Sequence, residues 1–195
     1  MQVRPSRRTD RGSGPVTALM VMGILALVFT IGITALFAAA SDERSTAQHA
    51  ADAAALAGAR GILDEAPIAL ATGFTAPDEI PLMLGGGPCV QTGRVEAFRL
   101  AQANHAILTS HCYNVWTDTV RVSVRLTDSN VAATRATAAA ESTTTFEPAH
   151  CTLASTSTLV CGSDTLTVQY VPSASRFVFV ALAAELADRK PRLIA

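Results

Sequence analysis

The segment ALMVMGILALVFTIGITALFAAA, residues 18–40, contains no charged side chain and only two polar ones, Thr30 and Thr34. A helix of this length covers the ~30 Å hydrocarbon core of a bilayer. Backbone amides surrounded by lipid must be paired within their own segment, which favours a helix. We therefore predict a transmembrane helix over residues 15–40, beginning at Pro15, because proline is well suited to a first helical turn.

The following segment, SDERSTAQHAADAAALAGARG, occupies residues 41–61, is rich in alanine and contains no proline. It predicts that the helix continues as an extracytoplasmic extension over residues 41–63, with Gly61 ending the regular pattern. Within it Ala50, Ala54 and Gly58 lie one turn apart, and small residues at this spacing allow another backbone to approach closely. The stripe has two interpretations: it covers the domain's own sheet, or it is a helix-packing interface with another chain.

The tail before the apolar segment, residues 1–14, contains a single acid, Asp10, and a cluster of cations: Arg4, Arg7, Arg8 and Arg11. Basic residues next to a membrane helix stay on the cytoplasmic side. The tail therefore predicts a single-pass protein of the cell membrane with a cytoplasmic N-terminus and an extracytoplasmic bulk. A cleaved secretory signal is the alternative, since residues 38–40 are small; the apolar segment is longer than a usual signal core, which favours a retained anchor.

Four cysteines follow the apolar segment on its predicted extracytoplasmic side: Cys89, Cys112, Cys151 and Cys161. An even number in an oxidising compartment predicts two disulfides, for which three connectivities exist. We favour Cys89–Cys112 and Cys151–Cys161, because both loops are short and do not interlock, with the second pair closing a surface hairpin. A metal site is the alternative, since a histidine precedes two of the cysteines, but the C-x₂₋₄-C pair typical of zinc sites is missing.

The rest of the chain predicts a small α+β domain with an antiparallel sheet over residues 93–195, after an irregular loop over residues 64–92. Helical spacing extends over 93–110, with Val95, Phe98, Ala101 and Leu108 on one face. Strict alternation of Val120, Val122, Val124 and Leu126 with polar residues then predicts a half-buried strand. Residues 131–147 fit a strand or a helix, and we favour the strand. Residues 165–171 predict another strand, and residues 177–188 a closing helix, with a strand over 177–180 as the alternative.

No motif indicates catalysis, and neither a cofactor nor a metal is predicted. The adjacent carboxylates of Asp64-Glu65 and Asp78-Glu79 point apart in most backbone conformations, so neither pair forms a convincing acid–base couple. The net charge of −1 gives no basic face for nucleic acid. The sequence therefore predicts a protein that is not an enzyme and does not bind nucleic acid.

The string AADAAALAGA at residues 50–59, following one N-terminal apolar helix, resembles the signature of TadE/TadG-like proteins of the tight-adherence, type IV-like pilus system. The polar lead-in DRGS at residues 10–13 is also similar. The resemblance is strong over residues 10–61 and weaker over 94–140. It implies a non-enzymatic, pseudopilin-like, membrane-anchored component of pilus or secretion-system assembly, whose partners are the membrane, other assembly proteins and further copies of itself.

One feature distinguishes this chain from processed prepilins, which keep a glutamate five residues after the glycine at which they are cut. Here Thr17 stands at that distance from Gly12, and Leu19 at that distance from Gly14. This difference favours an uncleaved assembly component over a mature pilin subunit. The alternative function is a membrane-anchored binding module unrelated to pili, whose loop 62–92 and cysteine hairpin would contact a ligand or a protein.

Overall fold

The computed structural model describes residues 14–127 and 136–194, and these form helices and two antiparallel sheets, as expected for an α+β protein. The helices are α1 (Gly14–Ala69), α2 (Glu79–Met83), α3 (Arg94–Ala103) and α4 (Leu182–Ala187), with a 3₁₀ turn at Pro148–His150. The strands are β1 (Ala106–Asn114), β2 (Thr119–Leu126), β3 (Thr137–Thr143), β4 (Cys151–Ser155), β5 (Thr158–Cys161), β6 (Asp164–Val171), β7 (Arg176–Phe179) and β8 (Arg192–Leu193).

The chain divides into two compact units, one ending at Asp42 and the other beginning at Glu43. The described part of the first unit is the first part of α1, where Leu19–Thr34 and Phe37 have exposed side chains. Among residues 14–127 and 136–194, none of the helices combines the length and apolarity that crossing a membrane requires. The transmembrane segment therefore stays a prediction.

In the second unit α1 is amphipathic and longer than the sequence suggested. Its buried residues form one stripe at helical spacing: Ala47, Ala50, Ala51, Ala54, Ala55, Gly58, Ala59, Gly61, Ile62, Leu63 and Ala66. The expectation that the helix ends near Gly61 is wrong, because the apolar stripe continues beyond it. A helical glycine costs about 1 kcal/mol relative to alanine, whereas burying Ile62 and Leu63 stabilises the fold by roughly 1.5–3 kcal/mol each.

The first sheet has the strand order β1-β2-β3-β8, with all neighbours antiparallel. The strand predicted from alternation is confirmed as β2, whose Val120, Val122, Val124 and Leu126 are buried. The strand favoured for 131–147 is β3, although residues 128–135 lie outside the described part. Ser142 of β3 donates a hydrogen bond from its Oγ to the carbonyl oxygen of Ala55 at 2.8 Å. This bond holds α1 against the first sheet.

The helix predicted over 93–110 is too long, since α3 ends at Ala103 and β1 begins at Ala106. The predicted apolar face is confirmed at Ala101, which is buried together with Ala97, but it is wrong at Val95 and Phe98, which are 70 % and 43 % exposed. Strand β1 instead pairs with β2 on both sides of an irregularity between Leu108 and Ser110, and its Ala106, His111 and Tyr113 are buried. This burial outweighs the helical spacing of the sequence.

Residues 64–92 are more ordered than the predicted irregular loop. After α1 ends, Phe74 exchanges backbone hydrogen bonds with Phe177 of β7, at 2.9 and 2.7 Å, and its ring packs on Phe177 and Phe179. Helix α2 follows with Ile80 buried, and Val90 then bridges to Tyr113 at the outer edge of β1. The segment thus connects the two sheets, although two of its prolines, Pro67 and Pro81, lie within α1 and α2.

The second sheet has the order β4-β5-β6-β7. The expectation of a closing helix over 177–188 is corrected: β7 covers the start of that range and only Leu182–Ala187 is helical. The alternating contacts of Phe177 and Phe179 with Phe74 explain why this part adopts a strand. Arg189, after α4, pairs with Asp164 of β6 and donates to the carbonyl of Thr145 at 3.2 Å, so one side chain joins the second sheet to the segment that follows β3.

Candidate functional site

The first unit presents a continuous apolar surface on the apolar segment, residues 18–40, whose side chains are described at residues 18–34, 37 and 38. Twelve large apolar side chains of this segment are exposed, with Leu19 at 72 % and Phe37 at 73 %. Contiguous apolar surface of this kind marks contact with a membrane or another protein. The segment therefore has the surface expected of a membrane anchor or of a helix that packs against another protein.

The two polar side chains of the apolar segment have hydrogen-bond partners within the helix itself. The hydroxyl of Thr30 donates to the carbonyl of Ala26 at 2.5 Å, and that of Thr34 donates to the carbonyl of Thr30 at 3.0 Å. Hydroxyls paired in this way need no water, which lowers the cost of placing them in an apolar environment. The arginines predicted to set the topology, Arg4, Arg7, Arg8 and Arg11, lie outside the described residues.

The predicted packing stripe of Ala50, Ala54 and Gly58 is buried inside the second unit. Ala50 is 1 % exposed and Ala54 is fully buried. A Cβ atom added at Gly58 would lie 3.1 Å from Nε2 of His111 and 3.3 Å from Cγ1 of Val120. Of the two interpretations of the stripe, the structure favours contact with the domain's own sheet, because these side chains have no surface left for a second helix.

Small residues on both sides explain how closely α1 approaches its neighbours. Gly93, the residue before α3, adopts a positive φ of +79°, and a Cβ there would lie 2.2 Å from the carbonyl oxygen of Gly58. Only glycine fits this position without moving the backbone. The alanines and glycines that resemble a helix–helix contact motif therefore serve a helix–sheet contact in this domain.

His111 of β1 is the most unusual polar residue of this contact. Its side chain is 6 % exposed, and neither ring nitrogen has a hydrogen-bond partner among the described residues. Burial, together with the positive charge of Arg94, lowers the pKa of His111 from 6.5 to about 4. The sequence gives no sign that α1 covers His111, because no local pattern marks this histidine as buried.

A second buried polar cluster surrounds Asp118 in the β1–β2 turn. Asp118 is 2 % exposed and accepts hydrogen bonds from Tyr113 Oη at 3.0 Å, Thr143 Oγ1 at 2.6 Å and Thr144 Oγ1 at 2.5 Å. Burial and then the Asp118 carboxylate raise the pKa of Tyr113 well above its usual value. The cluster is closed to solvent, so it suits holding the turn against the end of β3 rather than acting on a substrate.

The two disulfides join the pairs favoured from the sequence, Cys89–Cys112 and Cys151–Cys161. The first fastens the segment after α2 to β1. The second links β4 to β5. The prediction that it closes a surface hairpin is wrong, since Cys151 is 8 % exposed and Cys161 is fully buried. All four sulfur atoms are engaged, so the cysteines of the two His-Cys pairs are not available as metal ligands.

The remaining candidate groups have structural contacts. Asp64 pairs with Arg60 at 3.0 Å, Glu65 accepts from the backbone of Gly93 at 3.3 Å, and Glu79 accepts from the backbone of Thr75 at 2.9 Å. Within residues 14–127 and 136–194, no three of the histidine, cysteine and carboxylate side chains are grouped as metal ligands would be. Asp64 therefore pairs within α1, Glu65 joins α1 to the residue before α3, and Glu79 joins α2 to the turn before it.

Residues 14–61 match the family described as Flp pilus-assembly, TadE/G-like. No curated protein and no solved structure is similar enough to this chain to count as a match. The matched part is about a quarter of the chain; it contains the apolar segment and the alanine stripe, and it confirms the TadE/TadG-like resemblance found in the sequence.

Proposed function

We propose that this chain is a non-enzymatic, membrane-anchored component of the assembly of a Flp-type pilus or a related secretion system. The observation that carries the proposal is the family match over residues 14–61. The match coincides with the apolar segment, whose exposed side chains need a partner of low polarity. Residues 15–40 are proposed as the anchor, and contacts with other assembly proteins as the activity.

The support for the anchor comes from the sequence, since none of the helices among the described residues is long and apolar enough to cross a membrane. A continuous uncharged run over residues 18–40 supports it. The hydroxyls of Thr30 and Thr34, bonded to their own helix, support it further. Arg4, Arg7, Arg8 and Arg11 favour a cytoplasmic N-terminus, with residues 41–195 outside the cytoplasm. An oxidising compartment also suits the two disulfides.

The second unit is proposed to be the part that other envelope proteins contact. The alanine stripe of α1 is occupied by the domain's own sheet, so assembly through that stripe is not part of the proposal. Helix packing between chains is assigned instead to the apolar segment, where self-association would bring two such segments together. A role without catalysis accords with the pilus-assembly family and with the structural contacts of the buried polar groups.

The proposal is tested in cells that make the pilus and lack this chain. Restoring the full chain is expected to restore pili, counted by electron microscopy. A Val28→Arg variant is expected not to restore them, because a central arginine costs about 2.5–3.5 kcal/mol of insertion on the translocon scale. Arg121→Lys is the matched control, since Arg121 is exposed on β2 and pairs with Glu141.

Two outcomes would overturn the proposal. Normal pili without the chain would exclude an assembly role and favour a binding module unrelated to pili. Full rescue by Val28→Arg, with the variant released from membranes by carbonate, would exclude the anchor. A fusion of alkaline phosphatase after residue 195 tests the topology independently, and it is expected to be active.

A further inference from the structure

The two disulfides of the chain lie in different surroundings. Cys151 and Cys161 belong to the buried core, where they are 8 % and 0 % exposed. Cys89, by contrast, has an exposed side chain and Cys112 a half-buried one. A disulfide is cleaved by exchange only when a thiolate reaches one of its sulfur atoms. Cys89–Cys112 is therefore the bond that a reductant can approach in the folded protein.

The register of β1 shows that this bond lies outside the core. Cys112 is opposite Arg121 of β2, whose side chain is 69 % exposed, so both residues face away from α1. The neighbours of Cys112 in the chain, His111 and Tyr113, face the other way and are buried. Because side chains alternate between the two faces of a sheet, opening the bond places its sulfur atoms in solvent and leaves the core packing unchanged.

The bond fastens residues 85–92, which we call the glycine segment, to the outer edge of β1. Val90 of this segment exchanges backbone hydrogen bonds with Tyr113, at 2.8 and 3.0 Å. The side chain of Gln91 donates to the carbonyl of His111 at 3.1 Å. These hydrogen bonds lie at the edge of the sheet, where local opening has a low cost, so the disulfide is a large part of what keeps the segment in place.

The composition of the glycine segment favours its release once the bond is open. It begins with three consecutive glycines, residues 85–87, and glycine loses more conformational freedom on ordering than any other residue. The residues on either side of the segment, Leu84 and Gly93, are buried. Release is therefore expected to stay local, with α2 and α3 remaining in position.

We propose that Cys89–Cys112 is a site of reversible reduction by a protein dithiol, a thiol–disulfide oxidoreductase with two closely spaced cysteines. Reduction releases the glycine segment from β1, while Cys151–Cys161 stays closed and holds the second sheet together. The state of the exposed bond thus sets whether this segment is ordered. The site lies within the second unit, so the inference holds whether or not the chain takes part in pilus assembly.

The reaction is a thiol–disulfide exchange in two steps. A thiolate of the dithiol attacks Sγ of Cys89, the more exposed sulfur, and the bond to Cys112 breaks as a mixed disulfide forms. Cys112 leaves as a thiolate and takes up a proton, and its thiol can donate to the carbonyl oxygen of Pro88, which lies 3.4 Å away. The second thiol of the reductant loses its proton and attacks the mixed disulfide, which releases Cys89. Cys89 takes up a proton, so two electrons and two protons pass from the dithiol to the chain.

The test follows reduction of the full chain in dodecyl maltoside by dithiothreitol, a small dithiol, and by thioredoxin, a protein dithiol. Samples are alkylated at successive times, and the state of each cysteine pair is read by mass spectrometry of its peptides. With both reductants Cys89–Cys112 is expected to open at least tenfold faster than Cys151–Cys161, which serves as the internal control. Oxidised glutathione should restore the bond after the reductant is removed.

Hydrogen exchange measures the release of the glycine segment. When Cys89–Cys112 alone is open, the exchange rate over residues 85–92 should increase at least tenfold more than that over β6, which reports general destabilisation. Cys89→Ser combined with Cys112→Ser should give the same result without a reductant. Ser110→Ala, an exposed change on the same strand that keeps the bond, should exchange as wild type.

Three results would overturn the inference. The first is opening of the two pairs at equal rates, and the second is failure of thioredoxin to open Cys89–Cys112. The third is an equal increase in exchange over residues 85–92 and over β6. If the double serine variant does not fold, the exchange of the reduced wild-type chain decides the third point.

Discussion

Replacing His111 by leucine tests the packing of α1 on the first sheet. The imidazole is buried, and its nitrogens have no hydrogen-bond partner among the described residues. Leucine has a similar size and no polar atom, so at pH 7 the variant should be at least as stable as wild type, since an unpaired buried polar group costs about 1–3 kcal/mol.

The larger effect is on the pH dependence of stability. The pKa of His111 is about 4 in the folded protein and 6.5 as the reference for the unfolded chain. A depressed pKa means that the unfolded chain takes up the proton first as pH falls below 6.5. Wild-type stability is therefore lost between pH 6.5 and 4, by a total of about 3 kcal/mol and by about 2 kcal/mol between pH 7 and 5.

The assay is urea denaturation of the full chain in dodecyl maltoside at pH 7 and pH 5, followed by the fluorescence of Trp116, the single tryptophan. The stability of His111→Leu relative to wild type should increase by about 2 kcal/mol between the two pH values. His49→Leu, the same change at an exposed position of α1, is the control and should show no such increase. An advantage of His111→Leu that is the same at both pH values, or an equal response from the control, would refute the buried, neutral state of His111.

Three further predictions concern the same domain. Ala54→Leu should destabilise the second unit by about 1–3 kcal/mol through overpacking, as measured by urea denaturation. Ala53→Leu, on the half-buried side of α1, should change the stability little, and equal effects of the two variants would contradict the intramolecular role of the stripe. Asp118→Ala leaves two buried hydroxyls, of Tyr113 and Thr144, and the half-buried hydroxyl of Thr143 without their acceptor. It should cost about 3 kcal/mol, against about 1.5 kcal/mol for Tyr113→Phe; a smaller loss for Asp118→Ala than for Tyr113→Phe would show that the cluster is not organised by the carboxylate. Replacing both cysteines of a disulfide by alanine should cost about 3 kcal/mol of stability through loop entropy in either case. The total loss should be larger for Cys151–Cys161, whose cysteines are buried, than for Cys89–Cys112. The reverse order of the losses in thermal denaturation would contradict this.

The parts of the fold that the sequence predicted are those governed by one local pattern. Strict alternation identified β2, and loop length identified both disulfide pairs. Gly61 is typical of a helix end, yet Ile62, Leu63 and Ala66 continue the spacing of the stripe and are buried. The burial of these residues outweighs the unfavourable helix propensity of the glycine.

The parts that the sequence missed depend on contacts between distant residues. Phe74 finds its partners in β7, about a hundred residues later, so nothing local marked residues 64–92 as part of a folded layer. The start of β1 has helical spacing, and only its pairing with β2 makes it a strand. His111 and the Asp118 cluster were missed for the same reason, because their burial is created by α1 and by the end of β3.

The central claim, that the apolar segment contacts other components of the pilus system, is tested most directly by photo-crosslinking in cells. A photoreactive phenylalanine analogue is placed at Phe29, an exposed position of the apolar segment, and at Trp116 as an exposed site outside it. We expect Phe29 to give a protein adduct that disappears when the other pilus genes are deleted. Any adduct from Trp116, which lies outside the apolar segment, should not depend on the partners of that segment. An unchanged Phe29 adduct in the deletion strain, or no protein adduct from Phe29 in a strain that makes pili, would contradict it.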